Sequence, residues 1–192
     1  MGDLPGARTV VEFGVGTGVY TEEILKRLHP EGTFLAFEIE PDLASAAATR
    51  LKDPRLRVIN ASAEHVDDYL EGAKADYIIS SVPFTSLPAD VRQSLLEAAR
   101  GALTPDGQML VLQYSTTVLQ DLERVFATIR RRFSPLNIPP AFLFACSTYE
   151  APHGRVEETS QPDGAGRTPY VLGSLALGAL LLLLGRRLGR RR

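Results

Sequence analysis

The side chains best suited to chemistry stand in one short stretch near the start of the chain, where an acid precedes three glycines. Glu12 is followed by Gly14, Gly16 and Gly18, and residues 10–13 are apolar apart from that acid. Glycine lets the backbone turn sharply and bring its N–H groups close to a nucleotide-like ligand, because no side chain is in the way. The third glycine comes one residue too early for the Gly-x-Gly-x-x-Gly fingerprint of dinucleotide sites. The spacing therefore predicts a cofactor site of another kind.

A second acid, Glu38, stands near the end of the next predicted strand, residues 33–40. An acid about 20 residues beyond the glycines can accept hydrogen bonds from both hydroxyls of a ribose. A tight turn with no ligand would account for the glycines alone, but not for an acid at this spacing. The combination resembles the first motifs of class I S-adenosylmethionine (AdoMet) methyltransferases. The resemblance implies AdoMet as the cofactor and Glu38 as its ribose-binding residue.

Short apolar runs alternate with helical runs through the first 150 residues. Strands are predicted over 9–13, 33–40, 56–60, 75–80, 109–114 and 141–147, helices over 20–28, 43–51, 66–70, 89–103 and 117–131, and a turn over 104–107. Strands and helices that alternate in this way are typical of an α/β fold with helices on both faces of a parallel sheet. We expect a Rossmann-like, doubly wound, mostly parallel sheet of the seven-stranded type. Its ligand should lie outside the carboxyl ends of the strands.

The sequence after the fourth predicted strand bears on the substrate. Residues 81–84, Ser-Val-Pro-Phe, resemble the Asn-Leu-Pro-Tyr type of motif in rRNA adenine dimethyltransferases, without its Asn. They are closer to the Ser-x-Leu-Pro sequence of the bacterial phospholipid N-methyltransferase family, which is related to the rRNA enzymes. That family also has an aromatic and polar pair like Gln-Tyr at 113–114, and a segment like Asn-Ile-Pro-Pro-Ala at 137–141. Over residues 9–147 the chain is most similar to these phospholipid N-methyltransferases.

The resemblance implies roles for residues at the strand ends. At the cofactor it places Glu12, Gly14, Gly16, Gly18, Glu38, Ser62, Ala63 and Ser80. Family members commonly have an acid after the third strand that contacts the adenine. Here that position is Ser62, which would serve through a neutral hydrogen bond, or Glu64 would serve from two residues further along.

The same resemblance implies how an amine acceptor would be held. Ser81 and Tyr114 are the candidate catalytic residues, because their hydroxyls can orient the attacking nitrogen, and Pro83, Phe84 and Asn137 are the candidate substrate-binding residues. The rings of Phe84 and Tyr114 can hold an ammonium group by cation–π contact, which suits methylated amines. Ordinary packing at the edge of the sheet is the alternative for both rings. No Cys or His spacing indicates a metal site.

Charge argues against nucleic acid as the substrate. The chain carries 21 Lys and Arg against 23 Asp and Glu, and without the five arginines of its last seven residues the balance is −7. Binding to phosphate backbones depends on Lys and Arg, so an acidic domain is poorly suited to it. Residues 130–132, three arginines, could form a local basic face. We interpret them instead as the solvated end of the predicted helix 117–131, where cations suit the helix dipole.

The last 42 residues differ in composition from the rest. We expect a methyltransferase domain over 1–150, a flexible linker over 151–169 and a hydrophobic membrane-associating helix with an Arg-rich end over 170–192. Residues 170–185 carry no charge, yet that run is shorter than the roughly 20 apolar residues that a spanning helix needs. Because AdoMet is made in the cytosol, we expect the protein to be attached to the cytoplasmic face of a membrane. The helix would lie in the membrane interface, and its arginines would bind anionic lipid headgroups. A tail anchor is the alternative.

Only residues 1–8 precede the first predicted strand, whereas the family places helices there that close over the cofactor. Either those helices lie upstream of residue 1 or the site is closed in another way. The function that the sequence favours is methyl transfer from AdoMet to the headgroup amine of phosphatidylethanolamine or its methylated forms. The alternatives are an rRNA adenine dimethyltransferase-like enzyme, a non-catalytic membrane-bound AdoMet-binding module, and a methyltransferase of small molecules or quinones.

Overall fold

One mixed sheet of eight strands organises the part of the chain that the computed structural model describes, which is residues 7–135, 137, 139–149 and 156–158. The strands are β1 Thr9–Phe13, β2 Thr33–Phe37, β3 Leu56–Ile59, β4 Ala75–Ser80, β5 Leu103–Gln113, β6 Thr128–Ser134, β7 Ala141–Ser147 and β8 Val156–Glu158. The helices are α1 Val19–Leu25, α2 Pro41–Arg50, α3 Val66–Leu70, α4 Ala89–Ala102 and α5 Leu119–Val125. Two single turns of 3-10 helix cover Ala63–His65 and Phe84–Ser86.

The strand order is β3-β2-β1-β4-β5-β7-β6-β8. The first five strands are parallel to one another, and β7 runs antiparallel to both β5 and β6. The predicted Rossmann-like, mostly parallel sheet is therefore confirmed, with β8 as a short addition beside β6. Since the order reverses beside β1, the carboxyl ends of β1, β2 and β4 meet at one point of the sheet edge, which is where open α/β folds bind ligands.

Alternation along β1 explains how the two faces of the sheet are filled. Val11 and Phe13 belong to a core that also includes side chains of α3, α4 and α5. Val10 belongs to a second core with Ile24 and Leu25 of α1. Successive side chains of a strand point to opposite faces, so Glu12 lies on the same face as Val10, beneath α1. The packing of α1 thus decides the surroundings of this acid.

The predicted helix over 117–131 is wrong in its second half. Helix α5 ends at Val125, and residues 128–134 form strand β6, which pairs with β7 along its whole length. Ile129 is the buried residue of this strand and packs in the core, which a local helix pattern does not reveal. The three arginines at 130–132 therefore lie in a strand near the sheet edge and not at a helix end. Residues 104–107, predicted as a turn, belong to the start of β5, where the register with β4 shifts.

Two other expectations concern the end of the chain. The segment predicted as a linker, 151–169, includes the short strand β8, and its other residues lie outside the described part. The predicted hydrophobic helix over 170–192 also lies outside it. Among the residues that the structure describes, no helix has both the length and the apolar character to cross a membrane. Cys146 is a free cysteine, buried in β7.

Candidate active site

The glycine turn after β1 ties the ends of the first two strands together. The backbone N–H groups of Gly14 and Val15 donate to the carbonyl oxygen of Phe37 at 2.9 and 3.1 Å. Gly16 and Gly18 have φ of 52° and 74°, in the left-handed region that favours glycine. A Cβ on Gly18 would lie 2.6 Å from the Arg50 side chain, whereas a Cβ on Gly16 would meet nothing within 4 Å. The turn is therefore packed at Gly18 and open at Gly16, which leaves room for a ligand there.

Glu38 lies one residue beyond β2 and faces this turn. Its Oε2 accepts a hydrogen bond from the backbone N–H of Gly16 at 2.8 Å, and its Oε1 accepts one from the backbone N–H of Glu40 at 3.0 Å. The side chain is only 8 % exposed. Each carboxylate oxygen can accept more than one hydrogen bond, so both can still accept one from a ribose hydroxyl. The structure thus brings Glu38 to the glycines as the spacing predicts.

Glu12 is held on the other side of the turn. Its Oε2 accepts a hydrogen bond from the Thr21 hydroxyl of α1 at 2.6 Å, and its Oε1 is buried without a partner among the described residues. Burial raises the pKa of the Glu12 carboxyl to about 8, the Thr21 hydrogen bond opposes this rise, and the charge of Glu38 adds to it. An unsatisfied buried oxygen is costly. Such an oxygen beside an open glycine turn is suited to a cationic or hydrogen-bond-donating ligand.

The ends of β2 and β3 are joined by a residue that sequence reasoning missed. The Asn60 side-chain amide donates to the carbonyl oxygens of Glu38 and Ile39 at 2.9 and 3.1 Å. Two residues further along, Ser62 caps the 3-10 turn, and its hydroxyl donates to the Glu64 carboxylate at 2.9 Å. The structure therefore brings together the two side chains that the sequence left as alternatives. Ala63, also predicted to bind the cofactor, is buried in the first position of that turn.

The ends of β4 and β5 form the other half of the site. Ser80 is buried, and its hydroxyl accepts a hydrogen bond from the backbone N–H of Val82 at 3.3 Å. The Ser81 hydroxyl is 3.4 Å from the carbonyl oxygen of Gly14. The Gln113 side chain donates to the carbonyl oxygen of Val82 at 2.7 Å, and Tyr114 beside it is 58 % exposed. The predicted catalytic pair, Ser81 and Tyr114, thus stands at the carboxyl ends of two neighbouring strands.

The candidate substrate-binding residues fall into three different environments. Phe84 has no exposed surface and packs in the core on the α4 face, so the structure places its ring in the core and not at a substrate. Pro83 is exposed and precedes the 3-10 turn. Asn137 is 5 % exposed, and its amide donates to the carbonyl oxygen of Pro139 at 3.0 Å, so it holds the loop between β6 and β7. The roles of Pro83 and Asn137 toward a substrate stay predictions.

An aromatic residue that the sequence reasoning did not single out lies at the site. Tyr20, in the first turn of α1, packs partly buried against the core beneath that helix. Burial, together with the neighbouring Tyr114 and Glu12, raises the pKa of the Tyr20 phenol above its usual value. A phenol with a raised pKa is neutral at physiological pH. In the sequence, only its position two residues after Gly18 indicated that Tyr20 would lie near the site.

A sheet with this strand order, an acid at the end of β1 and another just beyond β2 define the Rossmann-like class of methyltransferases. Sequence comparison agrees, because the profile of the family described as "Methyltransferase domain" matches residues 10–107, and the chain belongs to that family. The protein is therefore an AdoMet-dependent methyltransferase. In the described residues, no group of three His, Cys, Asp or Glu side chains is arranged to hold a metal ion.

Curated relatives span several acceptor classes. An ornithine lipid N-methyltransferase of Singulisphaera acidiphila is 29% identical over 145 residues, covering 73% of this chain and 76% of the relative. A ribosomal RNA small subunit methyltransferase A of Dehalococcoides mccartyi is 32% identical over 116 residues, which are 58% of this chain and 37% of that enzyme. The chain thus spans most of the lipid enzyme and well under half of the rRNA enzyme.

Solved structures share the fold at low sequence identity. N-methyltransferase NodS from Bradyrhizobium japonicum, in complex with S-adenosylhomocysteine, has a TM-score of 0.61 at 13% identity and covers 73% of this chain and 77% of its own. A putative rRNA-methylase from Clostridium thermocellum also reaches a TM-score of 0.61, at 19% identity, over 79% of this chain and 90% of its own. Identity at this level supports the fold alone.

The residues at the site fit AdoMet. Glu38 offers two oxygens to a ribose, Glu12 offers an oxygen that has no partner among the described residues, and Gly16 has open space beside it. AdoMet carries an ammonium and a sulfonium cation, both of which suit carboxylates, and when bound it supplies an electrophilic methyl group. Ser62 and Glu64 stand at the end of β3, beside Asn60 and on the side of the site where the resemblance places the adenine.

Proposed function

We propose that this methyltransferase transfers methyl groups to the headgroup amine of a membrane lipid, with phosphatidylethanolamine or its methylated forms as the acceptor. The observation that carries the proposal is that Tyr20, in the first turn of α1, and Tyr114, at the end of β5, are close enough to interact electrostatically, with Ser81 directly after the neighbouring strand β4. Aromatic faces bind methylated ammonium groups by cation–π contact. The similarity to an ornithine lipid N-methyltransferase over three quarters of both chains supports a lipid amine.

The chemistry is a direct displacement. The lone pair of the amine nitrogen attacks the methyl carbon, the bond from that carbon to sulfur breaks, and its electron pair stays on sulfur. Most of the rate enhancement would come from holding nitrogen and methyl carbon in line and close together. Ser81 and Tyr114 orient the nitrogen through their hydroxyls, and the Tyr20 and Tyr114 rings surround the cation that forms. Tyr20 replaces Phe84 in this role, because Phe84 is buried in the core.

A primary amine must lose a proton before it can attack. An alkyl ammonium titrates near ~10.4, so most of the acceptor is protonated at neutral pH. Partial desolvation between two rings favours the neutral amine. The proton that the product ammonium releases after each transfer goes to solvent at the open edge beside Tyr114, which is more than half exposed.

Attachment to the cytoplasmic face of a membrane through residues 170–192 is part of the proposal. Residues 170–185 are uncharged and five arginines follow them. Arginines near an anionic leaflet contribute about 1 kcal/mol each. The lipid acceptor and the cytosolic source of AdoMet are then both within reach of the catalytic domain.

The test uses purified full chain, labelled AdoMet and three acceptors side by side: vesicles that contain phosphatidylethanolamine, vesicles that contain an ornithine lipid, and rRNA. Label in methylated phosphatidylethanolamine that is lost in Gly16→Arg, a variant that fills the open space of the turn, is the expected result. Label only in ornithine lipid would keep a lipid acceptor but reject phosphatidylethanolamine. Label only in rRNA, favoured by the similarity to the rRNA enzyme, would refute the lipid proposal.

A further inference from the structure

Exposed hydrophobic side chains are concentrated at one end of the sheet. Among the described residues, six large hydrophobic side chains are exposed: Val19, Ile39, Leu43, Tyr114, Phe133 and Tyr149. The first five lie at the carboxyl ends of the parallel strands or at the helix starts that follow them, where the active site is. Tyr149 follows β7, which runs the other way, and so lies at the opposite end. The apolar surface of the described domain therefore surrounds the mouth of the site.

This surface divides into two halves. Val19, Ile39 and Leu43 stand beside the glycine turn and Glu38, on the cofactor half. Tyr114 and Phe133 stand at the ends of β5 and β6, on the acceptor half. A cofactor bound at the glycine turn would lie beside the first group, whereas the second group follows other strands and stands away from that turn.

Aromatic side chains stand on both faces of the sheet at the acceptor half. Phe133 pairs in register with Phe142 of β7, and their ring centroids are 4.9 Å apart. Phe142 in turn stacks toward Phe144 at 6.4 Å, and Phe144 is fully buried. On its other side Phe142 is opposite Gln113, so the following residue, Tyr114, stands at the same end of the sheet but on the other face. We call Tyr114, Phe133 and Phe142 the aromatic corner. Phe142 lies between the buried Phe144 and Phe133, and Phe133 is 49 % exposed to solvent.

We propose that the aromatic corner docks on the surface of a phospholipid bilayer, so that the lipid headgroup reaches the site while the acyl chains remain in the bilayer. This inference rests on the proposed function. Aromatic side chains favour the membrane interface. A second protein chain fits less well, because a stable interface covers about 800 Å² per partner, while an aromatic side chain buries about 150–250 Å² and these rings are already partly covered.

The first experiment uses the absence of tryptophan from the chain. Phe133→Trp and Tyr149→Trp each introduce a single fluorophore into the full-length protein, one at the aromatic corner and one at the opposite end of the sheet. Vesicles of phosphatidylethanolamine and phosphatidylglycerol are added, with or without brominated acyl chains that quench tryptophan. We expect the emission of Phe133→Trp to shift to shorter wavelength and to be quenched, and that of Tyr149→Trp to stay unchanged.

Three results would overturn the inference. These are an unchanged emission of Phe133→Trp, an equal shift in both variants, and a shift that follows protein concentration without vesicles, which would indicate a second copy of the chain. Circular dichroism and AdoMet binding of both variants show that they are folded. Because this readout does not require methyl transfer, it judges the surface even if the proposed acceptor is wrong.

A kinetic experiment then links the surface to catalysis. Phe133→Ser and its control Tyr149→Ser are assayed with phosphatidylethanolamine in vesicles and with a short-chain form that is monomeric in water. Phe133→Ser should raise the apparent KM for vesicles and leave the rate on the monomeric acceptor unchanged, whereas Tyr149→Ser should change neither. Equal loss on both acceptors would refute a docking role. If the wild-type protein methylates neither acceptor, the proposed function fails separately.

Discussion

The buried carboxyl of Glu12 predicts a specific dependence of stability on pH. Its pKa is raised from 4.5 to about 8, mainly by burial. Between these values the folded protein holds a proton that the unfolded chain releases. Stability from this group is therefore fully present below the unfolded pKa and is lost as pH rises toward the folded pKa. The free energy of unfolding should fall across this range.

The magnitude follows from the size of the pKa shift. One pKa unit corresponds to 1.36 kcal/mol, so the change from pH 6 to pH 8, where the group is half titrated in the folded state, is about 2 kcal/mol. In a chain of this size, that loss lowers Tm by about 4–8 °C. Urea unfolding of the wild-type protein and of Glu12→Gln at pH 6, 7 and 8 measures it.

The comparison rests on the difference between the two pH profiles. A buried Gln amide costs about 1–3 kcal/mol if one of its groups is unpaired, but this cost is the same at every pH. Every other ionisable group is present in both proteins. We expect the wild-type protein to lose about 2 kcal/mol more than Glu12→Gln between pH 6 and 8. Parallel profiles would show that Glu12 is ionised throughout and would refute the reasoning.

Three further substitutions test the packing of the site. Gly18→Ala should destabilise the fold by about 1–3 kcal/mol, because Gly18 has a positive φ and a Cβ there would crowd Arg50. Gly72→Ala is the control: Gly72 also has a positive φ, but its Cβ would meet nothing, so the loss of stability in thermal unfolding should be smaller. Phe84→Ala should lower the free energy of unfolding by about 3–5 kcal/mol in urea. Phe84→Leu, which keeps an apolar side chain in the core, should retain most activity. A Phe84→Leu protein that is stable but inactive would instead indicate that the ring contacts the substrate. Asn60→Ala should weaken AdoMet binding measured by calorimetry, by about 1–2 kcal/mol for two lost hydrogen bonds, and unchanged affinity would contradict its role.

The cofactor half of the site could be predicted from the sequence because it depends on backbone geometry. Glycines with positive φ and an acid at the end of a strand occupy fixed places in the chain, so spacing alone brings Gly16 and Glu38 together. The parallel direction of the first five strands in the sheet order follows from the same alternation of strands and helices. These features need no knowledge of which distant side chains touch.

The acceptor half could not be predicted as well, because it depends on packing between distant segments. Phe84 follows the strand that ends at Ser80, yet its ring turns into the core on the α4 face. Strand β6 has a sequence rich in arginine, and its pairing with β7 on one side and β8 on the other makes it a strand. Tyr20 reaches the site because α1 packs over β1. In each case a contact between residues far apart in the chain decides the outcome.

The two acids show why a motif alone does not define how the site works. Glu12 and Glu38 stand at the same edge of the sheet, near the carboxyl ends of the neighbouring strands β1 and β2. Both oxygens of Glu38 accept backbone N–H groups, one from Gly16 of the glycine turn and one from Glu40, two residues after Glu38 itself. Glu12 has one hydroxyl partner, Thr21, and an oxygen with none among the described residues. Glu38 is therefore prepared before a ligand arrives, whereas Glu12 gains most from one. Because the pKa of Glu12 is raised, a cationic ligand must displace its proton, and cofactor binding should release that proton near neutral pH.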